Sequence, residues 1–586
     1  MSNRLIALLG FLAVIVLFYF LPSWTRKSSS NSASAISQRI EEKETQTDDL
    51  RSAMRYLGRM TPQNRDLTIK EVRLALNTWL EKADVSAANY ASPKTLTGLE
   101  PEMLASVGCS SNIALTFDYW DVDYLFQCRL MSKISDWVVD EPLGDSLIRP
   151  ILAKYQRELE EQEYLKLEEA YKLFDWAMRN VGLDPEMSSV ETKSPNPAGK
   201  VIELGPGYSY LPWESLLFCT GDFIEKGRVF TALAAQREIN TGWVVDAGKI
   251  WAIGVLIGGE IYLFEPKLAL PILEPDELRF ATLEEAKKNP RILRRLDLPG
   301  RFDYAFNPGD LNFLELFVDQ PPVAASARMK LLEQNLLGEE RMKVYQDIDA
   351  LVKNFQTAAP KATVKVWDLP LKAQFHALQI RDKLRITSDF TQQYRMVNGN
   401  WMWDSFAAQG RMRHLSGKFK KSSDGKQGAF ALYMKCRLDA ETLKKLEWDP
   451  DMQKAFGMEK QPDESKENHK GRLMSHLFDL RRAKVDATML AAQLHFDRGN
   501  YLESINWFQQ LLNNDKPQEQ LFAKRWENIS RYGIARSYQE LGDEAKFNEY
   551  LTYSSPAGQA ANPHEAGNRL RLRYLKDLNA QKAGAE

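Results

Sequence analysis

The chain has 586 residues, 44% of them hydrophobic, 27% charged and 11% aromatic; that is too long for one core and calls for roughly three or four domains. The apolar content excludes general disorder, and a net charge of −2 leaves no electrostatic footprint for nucleic acid. The four cysteines, Cys109, Cys128, Cys219 and Cys436, include no C-x-x-C pair, which excludes a zinc ribbon or a thioredoxin motif.

The first element is the uncharged run Leu5 to Leu21, ended by Pro22 and flanked by Arg4, Arg26 and Lys27. Extended through Trp24 it reaches the roughly 20 residues that cross a bilayer, so residues 1–27 are expected to be an uncleaved transmembrane anchor. A short N-terminal flank before a long body predicts a single-pass inner-membrane protein of bacterial type with its body exported to the periplasm. Residues 28–65 read as a Ser-rich spacer and a short stalk, with Ile36, Ile40, Leu50, Met54 and Leu57 as a sparse apolar stripe.

Residues 66–149 form a mixed α/β region. Leu67, Ile69, Val72, Leu76, Trp79 and Leu80 predict a helix from Asp66 to about Asp84, and Asn112 to Trp120 reads as a strand entering a helix. Leu152 to Val181 is expected to be one long helix, with Glu158, Glu160, Glu161 and Glu163 a solvated face rather than a cation site. Cys109 and Cys128 stay open between a disulfide and two buried thiols.

After a connector at Asp184 to Lys200 the pattern changes. Trp213 to Ile239 reads as a buried helix, followed by β-prone runs at Gly242 to Val245 and Trp251 to Ile257. Gly258-Gly259 then turns into Glu260 to Phe264, a hairpin signal. The order of these elements, through residues 150–330, resembles the transglutaminase-like (papain-type cysteine protease) superfamily core. In that family a Gly-Asp-Cys opens a helix, a His follows on the first strand, and an Asp-Pro ends the second. Gly221-Asp222-Phe223 stands at the first motif, Ile250-Trp251-Ala252 at the second, and Glu265-Pro266 at the third.

What the resemblance implies is a helix-plus-antiparallel-sheet core with its catalytic positions replaced. The nucleophile position is Phe223, the base position Ile250 and the orienting position Glu265, so only a carboxylate survives of a relay that needs thiolate and imidazole. Cys219, four residues upstream, is the fallback nucleophile. All six histidines lie at His376 or beyond, so a degenerate, inactive domain is expected. No G-x-x-x-x-G-K-[ST], H-E-x-x-H or G-x-S-x-G occurs. Gly205-Pro206-Gly207 is a turn rather than a phosphate loop, and Asp222, Asp246 and Glu265 have no spacing that singles out paired-carboxylate chemistry. No cofactor and no metal are expected.

Residues 331–460 form a second mixed α/β region, with a helix at Glu339 to Ala358, a strand at Ala362 to Trp367 and an aromatic loop at Asn398 to Trp403. Arg411, Arg413, His414, Lys418, Lys420 and Lys421 make a basic patch read as a solvated face, and His414 has a structural role. Residues 461–579 are helical. Ala492, Phe496, Gly499, Tyr501, Ser504 and Trp507 resemble a tetratricopeptide repeat, as do Tyr532, Ala535, Tyr538, Leu541 and Gly542, spaced wider than the standard period of about 34 residues. Residues 580–586 are expected to fray.

The fold class expected is therefore multidomain α+β: a transmembrane helix, a transglutaminase-like core and an all-α repeat region. The function expected is a membrane-anchored scaffold with protein or peptide partners and no nucleic acid. The alternative is a membrane-tethered, cysteine-dependent enzyme acting on peptide or cell-envelope polymer.

Overall fold

Leu50, Met54 and Leu57 recur at helical spacing behind Asp48 and Asp49, whose charges suit a helix N-terminus, and the helix Asp48–Leu57 results. It packs on Arg65–Lys82, which turns Ile69, Val72 and Leu76 inward. The expected strand before Trp120 does not form at 114–118. The Asn77 amide there takes the N–H of Phe117 at 2.8 Å and donates to its carbonyl at 3.1 Å, satisfying backbone that a ladder would have used. Asp118 then caps the helix Tyr119–Asp140, accepting from the N–H of Trp120 and of Asp121.

This computed structural model describes residues 48–586 apart from 62–63, 84–89, 91, 107–108, 110–113, 184–192, 196–200, 204–209, 247, 307–313, 369, 373–405, 424, 555–561 and 586. The expectations for Gly205 to Gly207, His376 and Asn398 to Trp403 lie outside the described residues.

Two helices expected to be continuous are broken. Leu152 to Val181 divides into Ile148–Tyr155 and Glu161–Asn180. Leu159 is the one apolar residue from Gln156 to Glu163, so continuing the helix there would bury little. Trp213 to Ile239 divides into Pro212–Phe218 and Phe223–Gln236. Cys219 turns the chain at φ 57°, and Thr220-Gly221 pairs in parallel with Gly182-Leu183 before the second helix starts.

The strands are β1 (Gly182–Leu183), β2 (Lys193–Pro195), β3 (Val201–Glu203), β4 (Thr220–Gly221), β5 (Asn240–Asp246), β6 (Lys249–Ile257), β7 (Glu260–Glu265), β8 (Leu270–Pro271), β9 (Leu314–Val318) and β10 (Thr363–Val366). Among the described residues the largest sheet has six of them, in the order β10-β9-β5-β6-β7-β8. Gly258 and Gly259, at φ 60° and 83°, make the left-handed two-residue turn that joins β6 to β7. The helix Phe223–Gln236 lies between this sheet and the helices Tyr119–Asp140 and Glu161–Asn180.

The expected fold class is corrected on three counts. The chain is mixed α/β and mostly helical with a small sheet, and that sheet is mixed rather than antiparallel, because β10 runs parallel to β9. A parallel pair needs a crossover, and the chain between them supplies it with the helices Ala327–Asn335 and Ile348–Ala358. Nor do the parts stand in series. One apolar core runs from Leu50 to Leu578, taking in the sheet, the helix Asp48–Leu57 expected in a stalk, and Leu570 and Tyr574 of the last helix Pro563–Ala585. That last helix continues to Ala585 where fraying was expected.

The transmembrane element and the inner-membrane, periplasmic localisation are corrected as well. No helix among the described residues is long and apolar enough to cross a membrane. The run Leu5 to Leu21, on which that expectation rested, lies outside the described residues.

Candidate functional site

The helix Phe223–Gln236 begins where it does because of a reciprocal cap. The Asp222 carboxylate accepts the N–H of Glu225 at 2.8 Å, and Glu225 accepts the N–H of Asp222 at 3.0 Å. Glu225 also accepts the N–H of Tyr210 at 2.6 Å. Burial, then the nearby Asp222 charge, pushes the Glu225 carboxyl up to about 8. Phe223 is the first residue of this helix, the position at which a nucleophile would meet the positive end of the dipole. Instead of a thiol it offers a ring, over which the Lys267 ammonium sits at 4.2 Å from the centroid.

Glu265, at the end of β7, is fully buried. It accepts the backbone N–H of Lys267 at 3.0 Å and the hydroxyl of Tyr304, which in turn accepts the indole N–H of Trp251 at 2.6 Å. Burial raises its pKa, and Lys267 and Tyr304 hold the rise back. Lys267 thus touches both positions, its ammonium over the Phe223 ring and its backbone N–H on the Glu265 carboxylate. Ile250 is the second residue of β6, opposite Val245, and is half-buried. The arrangement contains a carboxylate oriented by a phenol and a peptide N–H, with neither thiol nor imidazole in it.

Cys219 is also buried, and its thiol faces the carbonyls of Leu216 and Leu217 at 3.5 and 3.8 Å. Burial raises its pKa, outweighing the opposing pull of the Arg411 charge. A thiol held neutral in that way is a poor nucleophile. Among the described residues, no group of three or more His, Cys, Asp or Glu is arranged to hold a metal ion. Cys109 and Cys128 are buried thiols that are not joined in a disulfide, both pushed up to about 12 by burial.

The basic patch expected at Arg411 to Lys421 is not a single surface. Lys418, Lys420 and Lys421 are exposed, whereas Arg411 and His414 are fully buried. Arg411 donates to the Leu216 carbonyl at 2.9 Å and to the Asn180 side chain at 3.1 Å. His414 lies 3.0 Å from Asp497 through Nε2 and 3.2 Å from the Tyr433 hydroxyl through Nδ1. Burial lowers its pKa, so the ring is neutral, donating to Asp497 and accepting from Tyr433. Burial raises the Asp497 carboxyl, but Arg179 and then His414 more than offset it and bring it to about 2.

A second buried network was not anticipated. Arg536 reaches Asp175 at 2.7 Å, Glu540 at 3.0 Å and Asp145 at 3.1 Å, and Arg571 reaches Asp145 at 2.7 Å. Tyr171 donates its hydroxyl to Asp145. With the group around Arg411, this network ties the C-terminal helices to the helices beneath the sheet. One local sign was available: Asp175 lies within Phe174-Asp175-Trp176-Ala177 and Arg536 within Ile534-Ala535-Arg536, charges set in apolar helix faces. Burial of that kind demands a partner.

The C-terminal helices form hairpins. Lys466–Asp497 turns at Gly499 into Tyr501–Leu512, and Glu527–Glu540 turns at Gly542 into Glu544–Ser554, with Pro517–Arg525 between the pairs. Compared with family profiles, curated proteins and solved structures, the chain finds no match in any of the three.

Proposed function

We propose that this chain is a non-catalytic binding and scaffold protein, a degenerate member of the transglutaminase-like superfamily whose C-terminal helical hairpins, tetratricopeptide-like in pattern, recruit protein or peptide partners. One observation carries the reading: Phe223 occupies the helix N-terminus, covered by Lys267, while Glu265 is closed off by Tyr304. A relay of the cysteine type has nothing to attack with and no imidazole to activate it. The buried, protonated Cys219 supports the same reading.

Two measurements test it. A thiol-reactive peptide probe applied to the native full chain is expected to leave Cys219 unlabelled; rapid labelling abolished by Cys219→Ser overturns the reading in favour of a cysteine-dependent enzyme. Affinity capture with the full chain is expected to enrich a defined protein partner over an unrelated bait of similar size. Enrichment of nothing removes the scaffold function.

A further inference from the structure

The last helix, Pro563–Ala585, opens with a tightly seated first turn. Asn562 leads into it, accepting the N–H of Glu565 at 3.0 Å. Gly567 packs so closely that a Cβ there would lie 1.9 Å from the carbonyl oxygen of Leu268. His564 stands in this turn, 3% exposed, its ring centre 4.9 Å from that of Tyr532. The His564 Nε2 has no hydrogen-bond partner among the described residues. Tyr532 also lines the cavity between the two C-terminal hairpins, with Phe496, Phe508 and Ile529.

The surroundings of this ring oppose a positive charge on it. Lys226, fully buried on the helix Phe223–Gln236, donates to the carbonyls of Met178 at 2.8 Å and of Val181, and lies close enough to repel a second cation. From Glu527–Glu540 comes the tilted Tyr532 ring, whose hydroxyl is taken by Arg536 at 3.2 Å. The same helix as His564 brings Glu565, held by Arg569 at 2.9 Å. A first turn is also the positive end of the helix dipole. No carboxylate among the described residues acts on the ring, and burial, then Lys226, keeps its pKa well below the ordinary value. Buried His414 differs, because Asp497 lies 3.0 Å away to meet a proton.

We propose that His564 is an acid-operated latch: when its ring takes up a proton, the two turns from Pro563 to Arg569 leave the core. Their release frees the Tyr532 ring and the Leu268 carbonyl, while Leu570, Tyr574 and the Arg571–Asp145 pair hold the rest of the helix in place. The sign follows from linkage. A released imidazole titrates near about 6.5, and the docked one lower. Below that value the released state holds a proton that the docked state lacks. Docking of these turns is therefore complete above the window and weakens as pH falls through it. The latch belongs to the fold and holds whether or not the chain recruits partners.

The test is amide hydrogen exchange of the full chain at about pH 7.5 and about pH 5.5, each rate divided by the intrinsic rate at that pH to give an opening constant. Across those two units the opening constants of Ala566 to Leu570 are expected to rise about tenfold, the share set by one imidazole of pKa about 6.5. Those of Tyr574 to Leu578 should stay unchanged. His564→Phe keeps an aromatic ring without a titrating group and is expected to abolish the rise. His564→Gln should abolish it too, and covers the case in which the phenyl ring does not fit. Exchange of the imidazole C2 hydrogens against pH, read in the parent chain, reports the titration of His564 directly and should place it below about 6.5.

Opening constants of Ala566 to Leu570 that do not change with pH overturn the proposal. So does a rise of the same size in a variant without His564, which would place the titrating group elsewhere. A rise spread evenly from Ala566 to Leu578 also overturns it, because the whole helix would then loosen rather than its first two turns. An imidazole at His564 that titrates at the ordinary value while those amides stay protected would mean that the core accepts the charge, and the latch would be lost.

Discussion

Arg536 is fully buried and reaches three carboxylates, Asp175, Asp145 and Glu540, with Arg571 beside it on Asp145. Charges taken out of water are tolerated when each finds its counter-charge and expensive when one is removed. Arg536→Met is therefore expected to destabilise the fold by about 3–5 kcal/mol, read as a lower urea midpoint. The network brings together residues up to 426 positions apart, which explains why the sequence displayed its members without displaying the network. Glu225 gives a second test at this scale. An unfolded glutamate titrates near about 4.3, and the folded one is raised to about 8, by burial first and Asp222 second. Between those values the folded state holds a proton that the unfolded state lacks, so this contribution is complete below the window and lost as pH rises through it. Glu225→Gln, which can still accept from the Asp222 N–H, is expected to flatten the decline in urea stability between pH 5 and about 8. A decline of unchanged slope would remove Glu225 as its source.

At the scale of elements, the helix Phe223–Gln236 is pressed against the sheet at one glycine. A Cβ on Gly227 would lie 2.2 Å from the Trp243 ring and 2.8 Å from Ile253. Alanine in a helix interior gains about 1 kcal/mol over glycine from propensity, but forcing a methyl into a filled contact costs about 1–3 kcal/mol. The overlap with a fully buried tryptophan decides the sign, so Gly227→Ala should lower the melting temperature. Trp243→Phe in the same chain should recover part of the loss by removing the clashing ring edge. The helices and the Gly258-Gly259 hairpin were legible because period and turn chemistry are local. The breaks at Gln156–Glu160 and at Cys219 were not, because packing direction sets them. Phe223 and Glu265 were legible as positions, and the structure gathers them round Lys267. Lys267 itself carried no motif that would have drawn attention to it.

At the scale of the whole molecule, the sequence suggests parts in series, whereas the contacts join the C-terminus to the sheet. Ala566, Leu570 and Tyr574 of the last helix, Pro563–Ala585, are completely buried in the main core. Arg571 meets Asp145 and the carbonyl of Ala269, while Arg573 donates to the carbonyls of Arg295 and Asp297 at 2.7 and 3.0 Å. Contacts of such sequence separation leave no periodic trace, so helical pattern alone could not tell a docked helix from an appended one. They do make a prediction that separates the two arrangements. If the helix were appended, a chain ending at residue 562 would lose one helix and keep the cooperative unfolding of the rest. Because it is docked, truncation uncovers the apolar surface beneath Leu570 and Tyr574 and takes Arg571 from Asp145, leaving Arg536 to neutralise three carboxylates alone with Arg179. Removing one partner from a buried ionic group costs several kcal/mol, and a domain's whole stability is about 5–15 kcal/mol. The truncated chain should bind a hydrophobic dye and lose its sharp urea transition, whereas Arg571→Met in the full-length chain should retain a cooperative transition at a lower midpoint. A truncated chain with a sharp transition at the parental midpoint would mean that the last helix is an addition to a core complete without it.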